Sequence, residues 1–520
     1  MRRRNNMPQT GTLGAPARPK VRIRMYRQGI GDCFLLTFNT DPEPRHILID
    51  CGVLTGTPAG REKIREVAAN IRKETSDKVD AVVATHEHWD HISGFYDAQD
   101  IFQQLQVREL WLAWTEDPKD ARARELKQQQ QLKLQMLHLA LAGMAGLDDP
   151  RAKQYSQDFA GLLEFYGGPA ETASLTAFSA KTAEAMKILT QLPATPVYGE
   201  PGDLITRDWL PGVRIYVLGP PRERTSLRQG QGKPGRETYG LVGWEKTFSA
   251  ALERGLAVEE DLTDPQLLER IDVALPFHRS LQWRPEFLDK LKAKKDRTEL
   301  ENQCLQIYQA YMAEGAGWRR IGQDWLLSAV RLGLQLDNAT NNTSLVLAFE
   351  LTDTGQVLLF PGDAQIGSWL SWSESAWQVD GIPAGPGPGS APKTARIEVA
   401  DLLRRTVFYK VGHHGSHNAT LREGGLELMT SPDLVAAIPV DQKFANLSKR
   451  WEMPAEVLLR RLQELTRGRV LRADALGPPL DYLRPPNLPP EAGLTSREWE
   501  HFCASVAMDP EGLFLDYFIT

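Results

Sequence analysis

From Thr85 to His91 the chain reads Thr-His-Glu-His-Trp-Asp-His, so three of its ten histidines and two acids fall within six positions. Imidazole and carboxylate are the ligands that suit zinc, iron and manganese. On an extended segment, side chains at i and i+2 point the same way. His86 and His88 can therefore grip one ion, while Asp90 and His91 begin the next turn and reach toward a second. The preceding residues, Val-Asp-Ala-Val-Val-Ala (79–84), form a short apolar run that reads as a buried strand. A dense ligand cluster at the end of a buried strand calls for a layered α/β frame, with the cluster at one edge of a sheet.

The rest of the chain fits that frame. Residues 21–38 alternate, break at Gly29-Ile30-Gly31-Asp32 and resume apolar, which predicts two strands joined through a tight glycine turn. His46–Gly52 reads as a third strand, and 61–76 as a helix with apolar residues at helical spacing. Further strands are expected at 212–221, 343–351, 356–363, 406–417 and 434–440, with 468–474 as the last strand of the sheet. Pro454 opens a helical stripe over 454–465. The segment 381–395 is too rich in Pro and Gly to pack regularly. The expected organisation is a disordered basic tail at 1–20 and one domain at 21–475, followed by a C-terminal extension at 476–520. Helical insertions at about 101–196 and 222–339 interrupt the domain. Lys410 reads as a strand lysine facing solvent. Most of Trp111, Trp114, Trp318, Trp325, Trp369, Trp372 and Trp377 fall in helical or strand patterns and read as core residues, not as a platform for stacking bases.

His86-x-His88-x-Asp90-His91 after an apolar strand resembles the signature of the metallo-β-lactamase-fold hydrolases. Other landmarks of that family follow in order. Asp50, closing His46–Gly52, resembles the acid that braces the metal loop. Asp363, in Phe-Pro-Gly-Asp, resembles the carboxylate shared by both ions. His413 or His414, in Lys-Val-Gly-His-His-Gly-Ser, resembles the late histidine of the second ion, with His413 favoured because it comes first after the strand. Together with Gly-Ile-Gly-Asp-Cys, these stretches are similar to the ComEC-like branch, which includes the soluble nuclease-like domain of the DNA-uptake competence protein. The resemblance implies an αβ/βα four-layer sandwich and two divalent cations, zinc or manganese, with Asp90 and Asp363 holding the water that reacts. One departure stands out. Many members carry a further histidine before the strand that leads to the shared acid; here Asn341 sits at about that place. An amide oxygen is a poorer, harder ligand than imidazole, so the first ion site is expected to be weak or to favour manganese. Asp32 and His417 are the remaining candidates for supporting or weakly ligating roles.

Composition bounds the function classes. Four scattered cysteines with no Cys-x-x-Cys pair argue against a disulfide framework or a cysteine zinc site. No apolar run approaches a membrane span, and the basic start lacks an apolar signal core, so a cytoplasmic location is expected. The net charge of −6 hides an uneven distribution, with eight basic and no acidic residues in 1–30. A body of that sign is not a general polyanion binder. Three functions compete: a phosphodiesterase or nuclease, for which the resemblance argues; a small-molecule ester, thioester or lactone hydrolase, favoured by large helical lids; and a non-catalytic metal-binding interaction protein, with Asn341 as its support. The partners expected are accordingly a phosphodiester or small-ester substrate, nucleic acid, and a protein partner or second copy docked on the helical insertions.

Overall fold

The computed structural model describes residues 20–145, 161–168, 178–230, 285–313, 324–382, 393–474 and 493–520. In chain order its strands are β1 (Val21–Tyr26), β2 (Phe34–Phe38), β3 (Arg45–Ile49), β4 (Lys78–Val83), β5 (Gln106–Ala113), β6 (Thr195–Gly199), β7 (Leu204–Ile205), β8 (Val213–Gly219), β9 (Val346–Leu351), β10 (Val357–Phe360), β11 (Ala376–Ile382), β12 (Lys393–Glu398), β13 (Thr406–Lys410), β14 (Val435–Ile438), β15 (Val470–Arg472), β16 (Val506–Met508) and β17 (Phe514–Ile519). Eight of them form one sheet in the order β16-β17-β1-β2-β3-β4-β5-β6, and seven form a second in the order β15-β14-β13-β10-β9-β8-β7.

The period of two sends alternate residues to opposite faces. Val21, Ile23 and Met25 of β1 and Phe34, Leu36 and Phe38 of β2 enter a core shared with Ile215, Val217, Phe349, Phe360 and Phe408 of the other sheet. Phe360 meets Phe34 at 5.7 Å and Phe349 at 5.9 Å, both edge to face. Leu35, Leu48 and Val82 point outward and pack with Ile64, Val67 and Ile71 of the helix Gly60–Thr75. On the outer face of the second sheet, Tyr216, Leu359 and Tyr409 pack with Trp369 and with Leu458 and Leu462 of the helix Glu456–Leu465. The layers are therefore helix, sheet, sheet, helix: an αβ/βα sandwich. Trp111, Trp114, Trp369, Trp372 and Trp377 are all buried.

The structure corrects several boundaries. β5 lies inside the segment 101–196 expected as a helical insertion and pairs with β4 and β6 as the next-to-last strand of the first sheet. The insertion's helices begin only at Ala121–Ala145. The segment 476–520 is no appendage, because β17 pairs with β1 from Val21–Ile519 to Tyr26–Phe514. Leu515 and Ile519 fill the central core, and Arg24 grips Asp516 through two hydrogen bonds of 2.7 and 2.8 Å. β15 is thus not the last sheet strand. The ends of the Pro/Gly-rich segment 381–395 belong to a hairpin, β11 with β12; its middle, like the tail 1–19, lies outside the described residues.

Candidate metal centre

The loop after β4 carries the cluster, and its neighbours hold it by close backbone approach. The amide of Asp32 donates to the Asp90 carbonyl at 3.0 Å, and the amide of Cys51 donates to that of His91 at 2.8 Å. Two glycines make room. A Cβ on Gly52 would stand 2.2 Å from the Asp90 carbonyl carbon, and one on Gly31 (φ 143°) would stand 2.6 Å from the Asp90 oxygen. Only glycine fits such contacts. Asp50, itself at φ 55°, accepts from the Thr85 amide (2.8 Å), the Thr85 hydroxyl (2.7 Å) and His91 Nδ1–H (2.8 Å). That last bond fixes the His91 tautomer and turns Nε2 forward.

From the second sheet, Asp363 follows β10. Its Oδ1 accepts from Lys410 Nζ at 3.0 Å and the His413 amide at 2.9 Å, leaving Oδ2 to face His91 Nε2 at 3.1 Å. After β13 two consecutive left-handed residues, His413 (φ 45°) and His414 (φ 53°), make a sharp turn. It aims His414 inward: Nδ1–H donates to the Pro439 carbonyl at 2.7 Å, and Nε2 stands 2.9 Å from Asp90 Oδ2 and 3.9 Å from Asp363 Oδ2. His413 turns toward Phe165, and its Nδ1 pairs with the Ser416 hydroxyl at 3.0 Å. His86 and His88 meet ring to ring at 4.7 Å, and His86 and His91 at 4.2 Å.

Burial and charge pull the groups apart. Burial drags His86 well below its usual range and His88 and His413 down to about 4, so all three present neutral rings at neutral pH. Burial also opposes the charged form of His91, but Asp363, Asp32, Asp50 and Asp90 outweigh it and push this pKa well up; for His414, Asp90 and Asp363 do the same. Both rings have an acceptor behind Nδ1 and a carboxylate before Nε2. Asp363 is held far below the usual carboxylate range: burial resists, and His91 and Lys410 prevail. Asp32 is raised to about 6 by burial, against the pull of Lys410 and His91.

The donor set fits divalent cations. The ligand atoms of Asp32, His91, Asp363 and His414 lie within 4.8 Å of one another, all buried. Two bonds of about 2.0–2.2 Å to one ion put their ends at most about 4.4 Å apart, and the His91, Asp90, Asp363 and His414 contacts fall inside that span. Beside them, His86 Nε2, both nitrogens of His88, Asp90 Oδ1, His91 Nε2 and Asp363 Oδ2 are buried without a hydrogen-bond partner. Buried polar atoms are rarely orphaned without cause, and these converge from two loops, the one after β4 and the one after β10.

The structure brings together His86, His88, Asp90, His91, Asp363 and His414, with Asp50 behind His91. The preference for His413 over His414 reverses, because the turn geometry gives the inward place to His414. Asp32 pairs with Lys410, and Lys410 is buried, not solvent-facing. His417 is exposed and stands outside the buried cluster. Asn341 is fully buried near the cluster, and its amide donates to Asp337 Oδ2 at 3.2 Å. Sequence reading missed Asp337, which sits one helical turn before Asn341 at i−4 and so on the same helix face. It also missed Phe165 and Tyr166, whose rings cover His88 at 5.5 and 5.0 Å. Glu87 of the metal loop pairs with Lys127, which also meets Glu116 at 2.8 Å, tying the helix Ala121–Ala145 to the site.

A family model described as the metallo-beta-lactamase superfamily matches residues 26–117, a stretch that includes Asp32, Asp50 and the loop His86–His91. No curated protein matches the chain. With the two facing sheets, the fold is a metallo-β-lactamase αβ/βα sandwich carrying helical insertions. Among the described residues no helix is long and apolar enough to cross a membrane.

Proposed function

We propose that the chain is a metal-dependent hydrolase that cleaves phosphodiesters with water, using two divalent cations, zinc or manganese. The observation that carries the hydrolase reading is the convergence of buried ligand atoms from His86, His88, Asp90, His91, Asp363 and His414 that lack hydrogen-bond partners or face one another's oxygens. Cations bound there would lower the pKa of a water toward neutrality and polarise the oxygen of an ester or phosphoryl group. The chain's own residues do the rest. Asp50 and the Pro439 carbonyl hold His91 and His414 with Nε2 forward. Lys410 and the His413 amide occupy Asp363 Oδ1, so that Oδ2 alone faces the centre. Asp90 Oδ1 is open to accept a proton from the attacking water. Phe165, stacked on Trp451 at 5.2 Å, excludes water from the His88 side.

The choice of phosphodiester rests on the resemblance of the Gly-Ile-Gly-Asp-Cys, Phe-Pro-Gly-Asp and Lys-Val-Gly-His-His-Gly-Ser stretches to the ComEC-like branch. A second reading, hydrolysis of a small ester, thioester or lactone, is favoured by the aromatic cover of Phe165, Tyr166 and Trp451, which suits a small enclosed substrate. The test is turnover of bis(p-nitrophenyl) phosphate and single-stranded DNA beside p-nitrophenyl acetate, a thioester and a lactone, with zinc or manganese. Phosphodiester cleavage lost in His88→Ala and Asp363→Ala is the expected result. Turnover of the carboxylic esters alone refutes the phosphodiester choice, and no metal-dependent turnover of any of them refutes the hydrolase.

A further inference from the structure

The site has two unequal halves. His91, Asp90, Asp363 and His414 supply one cation with a full set of donors, whereas His86 and His88 alone leave the other short. The sequence offers Asn341 as the third donor. In the structure its side-chain NH₂ donates to Asp337 Oδ2 at 3.2 Å, which ties the two side chains together, and its Oδ1 is buried without a hydrogen-bond partner. The other oxygen of the Asp337 carboxylate, Oδ1, stands 4.0 Å from His88 Nε2, and neither atom has a hydrogen-bond partner. Two atoms sharing one ion through bonds of about 2.0–2.2 Å are separated by about 3.3 Å at a tetrahedral angle and by up to about 4.4 Å when opposed.

The helix Asp324–Asn341 is anchored so that this face looks into the site. Leu336 packs with Leu134, Leu163, Phe165 and Tyr166. Thr340 receives hydrogen bonds at 2.9 Å from Gln130 and meets the Tyr166 hydroxyl at 2.9 Å. Asp337 and Asn341, four residues apart, are thereby held side by side. Among the described residues no lysine or arginine pairs with Asp337, whose side chain is only 13% exposed. A buried carboxylate without a cation is costly, and a divalent ion between it and His88 would remove the cost.

We propose that Asp337, the charged member of the pair and the one whose free oxygen lies 4.0 Å from His88 Nε2, completes the first cation site beside His86 and His88, with Asn341 as the brace that orients it. This inference rests on the metal-centre reading above. A carboxylate in that place makes the site harder and raises its relative affinity for manganese over that of an all-imidazole site.

The test is metal content and affinity of the full chain, stripped with chelator and titrated with zinc or manganese, by plasma mass spectrometry and calorimetry. D337N keeps the shape of the side chain and D337A removes every donor; circular dichroism confirms that both fold. Wild type should hold about two equivalents. Both variants should keep one tight site and lose at least about 10-fold in affinity at the other, whereas N341A should keep two equivalents with a smaller loss. Cobalt substitution adds a spectroscopic readout: the visible bands of the second-filled ion should change or be lost in D337A and persist in N341A, while those of the first-filled ion stay the same in both. Two equivalents at unchanged affinity in D337A, or loss of an ion in N341A but not in D337A, overturns the assignment. A wild-type chain that binds no ion overturns the metal-centre reading and this inference together.

Discussion

Lys410 is the perturbation that most directly tests the electrostatics of the centre. Its ammonium lies between Asp32 and Asp363 and donates to the Gly362 carbonyl at 2.8 Å, and all three charged side chains are 1–2% exposed. Lys410→Met keeps the length of the side chain and removes the only lysine in that contact. Breaking a buried pair from one side leaves an uncompensated charge and costs about 3–5 kcal/mol. The pH dependence has a definite sign. With Lys410 present, the Asp32 carboxyl is already raised to about 6, by burial against the pull of the lysine. Without the lysine it rises further, while in the unfolded chain it stays near about 3.9. The variant's folded state therefore holds a proton that the unfolded state has released, and stability is lost as pH rises. Between pH 8 and 6 the wild-type Asp32, with its pKa at about 6, is mainly ionised, whereas the variant's carries its proton over more of that range. The deficit should then shrink as pH falls, by up to about 1.4 kcal/mol per unit. Urea denaturation of chelator-treated protein, followed by circular dichroism at pH 8 and pH 6, measures both numbers. A deficit below about 1 kcal/mol at pH 8, or one that does not change between the two pH values, refutes the reasoning. The first would mean that the three charges are not jointly buried, and the second that Lys410 acts through packing alone.

Two further outcomes follow from the same geometry. Asp50→Asn removes the carboxylate that accepts from His91 Nδ1–H at 2.8 Å and from Thr85, so calorimetry should show cation affinity reduced about 10–100-fold with the fold intact; unchanged affinity would mean that His91 needs no brace. Asp516→Ala removes two charge-assisted hydrogen bonds from Arg24, which is 3% exposed and keeps Glu74 at 3.1 Å and Asn70 at 2.8 Å, and should cost about 1.5–3 kcal/mol in urea denaturation, whereas the double variant Arg24→Met/Asp516→Leu should cost less than the sum of the single changes; a negligible single-variant cost would mean that β17 is not docked against β1.

What the sequence showed and what it hid divide along distance in the chain. The cluster His86–His91 was legible because its six residues are contiguous and histidine is scarce, and β1 to β4 were legible because alternation is local. β17 was not: its partner β1 is nearly the whole chain away, so nothing near Phe514–Ile519 says whether it joins a sheet or trails from one. Lys410 looked like a solvent-facing strand residue because the two carboxylates that justify its burial, Asp363 and Asp32, lie on other loops far earlier in the chain. The choice between His413 and His414 depends on two left-handed backbone residues in succession, a geometry that two adjacent histidines do not encode by themselves.

Asp337 shows a different kind of blindness. Under the assignment proposed above, the ligand lies on the helix end that the motif points to but one turn earlier, because a motif is read as a position along the chain while a helix presents residues in steps of about four. Asn341 occupies the expected place, and its NH₂ donates to Asp337. A missing histidine in such a family pattern is therefore no sign of a disabled site until the residue one turn earlier has been examined. The same displacement changes what the site can hold: a carboxylate donated from the insertion makes the first half of the centre depend on the docking of the helices Asp324–Asn341 and Ala121–Ala145. That docking is fixed by Thr340, Gln130 and Tyr166. The insertions are then part of the centre's own construction as well as its cover.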